Sequence, residues 1–221
     1  MEFDFHTLRQ HFPLLQTGLW LTLVTTAGSL AIGTVLGLIA CLGKLSGRGW
    51  PYRFATWFID FFRTIPEVVL IFWVYSCLPL LLDVRMSAET CGILALSCLA
   101  GAYLAEIFRA GVLAVPRGQV EAAYALGIPA FHIWKTVILP PAVRRMMPAF
   151  VNFLTELLKA SSLLSAIGVA ELVYQASTLG ATTFRYVEFL SAVAVFYFAI
   201  IFPLSLIARR AEARLVRRTG Q

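Results

Sequence analysis

EAAYALGIPAFHIWKTVILP, residues Glu121 to Pro140, is the one long stretch in which this apolar chain departs from the composition of a membrane helix. Glu121-Ala122-Ala123 opens a short helix-forming run whose small residues let another surface come close. Gly127 and Pro129 stop that run, one by backbone freedom and the other by its missing amide. Phe131 to Val137 forms a second apolar piece, and Leu139-Pro140-Pro141 closes the segment. The pattern predicts a short helix, a break and a second helix lying at the membrane face. Two roles fit such a segment: an amphipathic connector resting on headgroups, or a docking element for another protein.

The rest of the chain supplies the membrane. Of 221 residues, 59% are hydrophobic and 14% charged, with a mean hydropathy of +0.80. A soluble domain carries about 25% charged residues, so most of this chain is solvated by lipid. The net charge of +6 comes from scattered basic residues that topology places, so it gives no reason to invoke nucleic acid. Cys41, Cys77, Cys91 and Cys98 lie inside apolar runs without paired or metal-like spacing and read as small buried hydrophobes. Glu2 and Asp4 against Arg9 are the reverse of a signal peptide's basic start, so the first apolar run is expected to stay as a span.

Five stretches reach the roughly 20 residues that a helix needs to cross a bilayer: about 14–42, 54–82, 88–115, 147–173 and 187–208. The first holds Gly33 and Gly37 in a GxxxG spacing, which allows close helix approach. The second is interrupted at Pro66, where a kink or division is expected. A polar hairpin at 83–87 and a loop at 174–186 separate later spans. Thirteen Lys and Arg fall on one side: three before the second span, five between the third and fourth, and five in the tail. Arg9, Arg85 and Arg185 fall on the other. That bias puts the N-terminus outside, and the C-terminus and the Glu121 stretch in the cytoplasm.

No catalytic constellation is present. Gly37 to Leu45 approaches a phosphate loop, but it has one residue too many between the glycines, and Leu45 stands where a magnesium-binding hydroxyl belongs. Charge inside the spans is more informative. Glu156 and Lys159 fall near the middle of the fourth span, where each costs roughly 2.5–3.5 kcal/mol on insertion scales. Their i, i+3 spacing lets them pair. Either they neutralise one another and merely tolerate lipid, or with Ser161 and Ser162 they line a solute path. Arg63, beside the break at Pro66, either snorkels to the surface or faces that path. Glu106 and Arg109 read as a structural ion pair, His132 as a surface histidine, and the five tryptophans as belt or packing residues.

The residues also carry a family resemblance. Glu121, Ala122, Ala123, Gly127, Val137, Leu139 and Pro140 match the EAA loop of bacterial ABC importer permeases. FRTIPEVVLIFWVY (Phe62 to Tyr75), AYLAEIFRAGVLAVPRGQVEAA (Ala102 to Ala123), LLKASSLLSAIGVAEL (Leu157 to Leu172) and TFRYVEF (Thr183 to Phe189) are similar, in order, to the polar amino acid uptake permeases of the histidine/glutamine/glutamate type. The chain departs from that pattern at Glu67, at Ala160-Ser161-Ser162 and at Glu156, all near the expected path. The resemblance implies an all-α, five-helix type I importer permease in a single domain of the bacterial inner membrane. It implies no cofactor in this chain, since ATP and magnesium would be held by a cytoplasmic ABC ATPase dimer. The other partners it implies are a second permease subunit, identical or paralogous, and an extracytoplasmic amino-acid-binding protein. The helix from Glu121 to Gly127 would be the coupling helix, and Arg63, Glu67, Glu156, Lys159, Ser161 and Ser162 would line the path.

A gradient-driven secondary transporter or channel is the rival from another class. Five spans and the lack of a visible inverted repeat argue against it. A membrane-anchored assembly protein would leave Glu156 and Lys159 without a use.

Overall fold

The computed structural model describes residues 5–219, among which every regular element is helical. Glu2 and Asp4 lie outside the described residues, as do the side chains of Arg214, Arg217 and Arg218. A short α1 (Phe5–Gln10) precedes α2 (Phe12–Leu45), whose 34 residues extend about 51 Å at 1.5 Å per residue. Pro13 stands in the first turn of α2, where its missing amide costs nothing.

The helix α3 (Gly49–Thr64) ends at Ile65 and Pro66, both extended, and α4 (Glu67–Ser76) starts directly after them. The axes of the two halves differ by 104°. Pro66 therefore divides this span rather than kinking it. Its ring disfavours helical backbone at Ile65, and Glu67 then occupies the first turn of α4, where the helix dipole favours an acid. A short α5 (Leu78–Leu82) follows, ended by Asp83 in a left-handed turn with φ 51°. Ser87 caps α6 (Ala88–Leu113) by accepting the Thr90 amide.

The segment after α6 differs from the expected helix–break–helix at its far end. The first helix, α7 (Arg117–Ala125), starts four residues before Glu121. The second, α8 (Ala130–His132), does not stop at Leu139-Pro140-Pro141. It passes through a π-helical turn, Ile133–Ile138, directly into α9 (Leu139–Ala160). The wider turn accommodates the amides that Pro140 and Pro141 cannot supply, so the prolines begin a helix instead of ending one. A 3₁₀ segment, Ser161–Ile167, follows α9 and ends at Gly168, with φ 83°. Glu156 and Lys159 thus stand in the last turns of a helix rather than at its middle.

The expected loop at 174–186 is mostly helix: α10 (Leu172–Thr183) is followed by a brief turn and by α11 (Tyr186–Thr219). Glu171 supplies the missing start signal by accepting the Tyr174 amide at 2.8 Å, an N-cap. Among the described residues, four helices are long and apolar enough to cross a membrane, or five if the divided α3–α4–α5 counts as one crossing.

Among the described residues, a small core lies under α7 and two others hold the long helices. The larger joins α2, α3, α4, α6, α9 and the 3₁₀ segment. The smaller joins the start of α2 to α10 and α11 through Leu15, Leu172, Phe189 and Val193. The α2–α6 seam is the tightest. A Cβ on Gly33 would sit 2.5 Å from the Ala100 Cβ, and one on Gly37 would sit 2.9 Å from the Leu104 Cβ. The GxxxG spacing is therefore a packing seam within the chain. Gly33→Leu is expected to cost at least about 3 kcal/mol by overpacking. A thermal unfolding midpoint in detergent equal to that of the parent would disprove the seam.

The buried hydroxyls of α2 are all satisfied, most of them within the helix. Thr22, Thr25 and Thr26 donate to carbonyls of the preceding turn, and Ser29 donates to the Ile93 carbonyl. Thr22 also ties α2 to Glu171, donating to its carboxylate at 3.4 Å and accepting the Leu172 amide at 3.2 Å. Lys44 marks one end of the helical bundle and Glu171 the other.

Candidate functional site

Helix α7 lies across the Lys44 end and is fixed from beneath. Ala123 is 5% exposed and packs with Val115, Ile133, Ile138 and Ala142 in a small core of its own. Neighbouring positions on a helix point about 100° apart, so Ala122 remains exposed while Ala123 faces inward. The small side chain at Ala123 therefore brings α7 close to its own spanning helices, not to a foreign surface. The far end is fixed as firmly. Gly127 donates to the Tyr124 carbonyl at 2.9 Å and Ile128 to the Ala123 carbonyl at 3.2 Å, the paired bonds of a Schellman stop. That stop needs left-handed backbone, and Gly127 has φ 71°.

The outward face of α7 is free. Glu121 and Ala122 are exposed, and Tyr124, Leu126 and Phe131 are 56%, 78% and 72% exposed. Between α7 and the ends of α2 and α6, a cleft of about 320 Å³ is lined by Leu45, Leu113, Arg117, Glu121, Tyr124 and Trp134. This short helix, anchored on one face, presents an acid and large apolar side chains on the other.

The six residues expected along a path do not form one cluster. The helix α9 shows an exposed polar stripe: Asn152, Glu156 and Lys159 at steps of four and three, between buried Val151, Phe153, Thr155, Leu157 and Leu158. The stripe continues toward the Lys44 end through Ala149 to Arg145. Lys159 Nζ reaches Glu156 Oε1 at 2.8 Å, and the charge of Glu156 acts on Glu67, across in α4. Two acidic side chains and one ammonium therefore act on one another here, a formal charge of −1. Ser162 is half-buried and donates to the Lys159 carbonyl at 2.7 Å. Ser161 is fully buried, and its hydroxyl donates to the Leu158 carbonyl, so it faces the core behind the stripe.

Arg63 stands apart from these. Its guanidinium carbon sits 5.2 Å above the Tyr103 ring, a cation–π contact, and Tyr103 in turn stacks on Phe153 at 5.5 Å. The expected Glu106–Arg109 pair is present with a third member. Glu106 Oε2 accepts from Arg109 at 2.6 Å, and Oε1 accepts from Lys44 of α2 at 2.6 Å. All three side chains are at least 70% shielded, so the triad is worth more than a surface pair, which typically contributes under 1 kcal/mol.

Sequence spacing missed Lys44, Tyr103, Asn152 and Glu171. Glu171 had a usable signal, a lone carboxylate in an apolar run, and it is completely buried. The partners of Lys44 lie 62 residues away, which no local pattern reveals.

The polar stripe on one spanning helix, the span divided at Pro66 and the fixed helix at the Lys44 end are together what a membrane transport subunit needs. The family model of binding-protein-dependent transport system inner membrane components matches residues 32–221. The chain belongs to that family. Relatives match nearly the full length of the chain. The glutamine transport system permease protein GlnP of Escherichia coli K12 is 40% identical over 216 residues, 97% of this chain and 99% of that protein. The arginine transport system permease protein ArtQ of Bacillus subtilis 168 is 35% identical over 219 residues, 97% of this chain and 98% of that one. A crystal structure of an amino acid ABC transporter with histidines contains a chain 34% identical, with a TM-score of 0.88 over 97% of this chain and all of that one. A chain of the inward-facing MetNI methionine ABC transporter, 24% identical with a TM-score of 0.73, has the same fold. The fold of this inner membrane component is thus that of type I ABC importer permeases.

Proposed function

We propose that this chain is the membrane-spanning subunit of an ATP-driven importer of a polar amino acid, and that it moves because a separate ATPase pushes on α7. One observation carries the reading. The helix α7 is clamped to its own bundle through Ala123 and stopped by Gly127, while Glu121, Tyr124 and Leu126 face outward. Such a helix transmits displacement without deforming. Glu121, Ala122 and Gly127 make the contact with the ATPase, and Ala123 anchors the lever. The concentration of Lys and Arg near this end supports a cytoplasmic placement, with the N-terminus outside and the C-terminus inside, in the bacterial inner membrane.

The partners are two ATPase subunits that hold ATP and magnesium, a second permease that is a copy or a paralogue, and an external amino-acid-binding protein. ATP-driven closure of the ATPases shifts α7 and, through its core, α6 and α9. The two permeases then rock between inward-open and outward-open states. The solute passes Glu67, Glu156, Lys159 and Ser162, supported from behind by Ser161, and then Arg63. The relatives named for glutamine and arginine transport support an amino acid with a polar or cationic side chain.

Reconstitution tests this reading. Proteoliposomes holding this chain, its permease partner, the ATPase and the binding protein accumulate glutamine or arginine only with ATP. Uptake by this chain alone under an ion gradient, independent of ATP, would establish the secondary-transporter alternative instead.

A further inference from the structure

A second cavity, of about 380 Å³, opens between α6 and α9, toward the Lys44 end from the Glu67–Glu156 site. Arg63, Tyr103, Glu106 and Arg145 line it, over a floor of small side chains that includes Ala110 and Gly111. Its volume falls in the range of small-molecule sites, about 300–1,000 Å³. Arg145 stands eleven residues before Glu156, about 16 Å along the helix axis.

The charges of this cavity are unbalanced. Glu106 is its one acid, and both oxygens of Glu106 are occupied, by Lys44 and by Arg109. Among the described residues no carboxylate lies within ion-pair distance of Arg63 or Arg145. Arg63 has the Tyr103 ring on one side, which leaves its donor edge open. Two guanidinium groups, one from α3 and one from α9, line the same cavity, and with no carboxylate paired to either they select an oxyanion and reject a free cation. The Glu67–Glu156–Lys159 site has the opposite excess charge and suits an ammonium. Together they form a polar track with its acidic part deep in the pathway and its basic part near the exit.

We propose that this basic cavity is a carboxylate-binding exit site: Arg63 and Arg145 hold the carboxylate of the amino acid after it leaves the acidic site, and accumulated solute returns to the cavity and slows transport. The proposal rests on the importer reading and on a cytoplasmic Lys44 end. A lipid phosphate offers the same oxyanion chemistry, and the assay separates the two sources.

The full complex is reconstituted with excess ATP in vesicles preloaded with L-glutamine, or with 4-aminobutanamide, which is glutamine without its carboxylate. Each protein is its own reference, as the ratio of loaded to unloaded initial uptake. Internal glutamine lowers that ratio for the parent, the amide does not, and Arg145→Gln raises the half-inhibitory concentration about tenfold or more. Arg145→Lys, which keeps the charge, recovers part of the inhibition. Equal inhibition by the amide, an unchanged midpoint in Arg145→Gln, or no inhibition at all overturns the exit site. A requirement for phosphatidylglycerol over phosphatidylcholine that Arg145→Gln abolishes, with no glutamine effect, assigns the cavity to lipid and overturns it too. Equilibrium binding of radiolabelled L-glutamine to the detergent-purified complex needs no pumping. Absence of any Arg145-dependent component there refutes the site while the importer reading stands. Such a component in a complex that fails to pump with ATP keeps the site and refutes the importer reading.

Discussion

Glu121→Lys is expected to lower ATP-driven uptake more than tenfold, while the protein inserts and folds as the parent does. The side chain is exposed on the outward face of α7 and has no ion-pair partner among the described residues, so its replacement disturbs nothing inside the chain. A surface exchange of this kind changes stability by less than about 0.5 kcal/mol. The effect on a docked partner is much larger. Glu121 lines a cleft with Tyr124 and Trp134, and reversing a charge that becomes desolvated beside such apolar side chains costs roughly 2–5 kcal/mol or more. Gly127→Asp approaches the same interface from the backbone. A Cβ there meets nothing within 4 Å, yet φ is 71°, so an L-residue is strained by only about 1–2 kcal/mol. Its carboxylate would add negative charge at the negative end of the α7 dipole, on the surface that docks. Uptake by reconstituted complexes and retention of the ATPase during purification measure both variants. Normal uptake together with normal retention in the two would remove α7 from the coupling role.

The sequence showed the parts of this molecule whose physics is local and left hidden those whose partners are distant. Pro66 announced a break because a proline acts on its own and the preceding residue. Gly127 announced a stop because left-handed backbone favours glycine. Glu106 and Arg109 announced a pair because three residues along a helix is one face. The same local rules misread Pro140 and Pro141, since a proline pair can begin a helix as well as end one, and the π turn before them decides which. They also misread 174–186. Its Ser, Gly and Thr residues lower helix propensity, but Glu171 caps the run and Thr22, 149 residues earlier, holds that cap in place. In the site, adjacency misled twice. Ala123 sits beside Ala122 and Ser161 beside Ser162, yet in each pair one residue is buried and the other is not.

Glu67→Gln and Glu156→Gln are expected to act in the same direction and by similar amounts, although only Glu156 is bonded to Lys159. With both acids present, one ammonium faces two carboxylates. Removing Glu67 leaves a neutral Glu156–Lys159 pair, while removing Glu156 frees Lys159 to balance Glu67. Either change abolishes the one excess negative charge. If that charge receives the solute's cationic groups, KM rises about tenfold for L-arginine, which carries two of them, in line with about 1.5–3 kcal/mol for a charge-assisted hydrogen bond. L-Glutamine loses less, and L-glutamate, repelled by the parent site, loses least. Collapse of the fold does not confound this test, because the Glu156 and Lys159 side chains are 67% and 50% exposed, and an exposed i, i+3 pair contributes only about 0.3–0.5 kcal/mol. Initial rates for the three amino acids in one reconstituted system give the comparison. A uniform loss for all three would mean that the carboxylates shape the path without reading charge. Unchanged kinetics in both variants would reduce Glu156 and Lys159 to a pair that neutralises itself in the membrane.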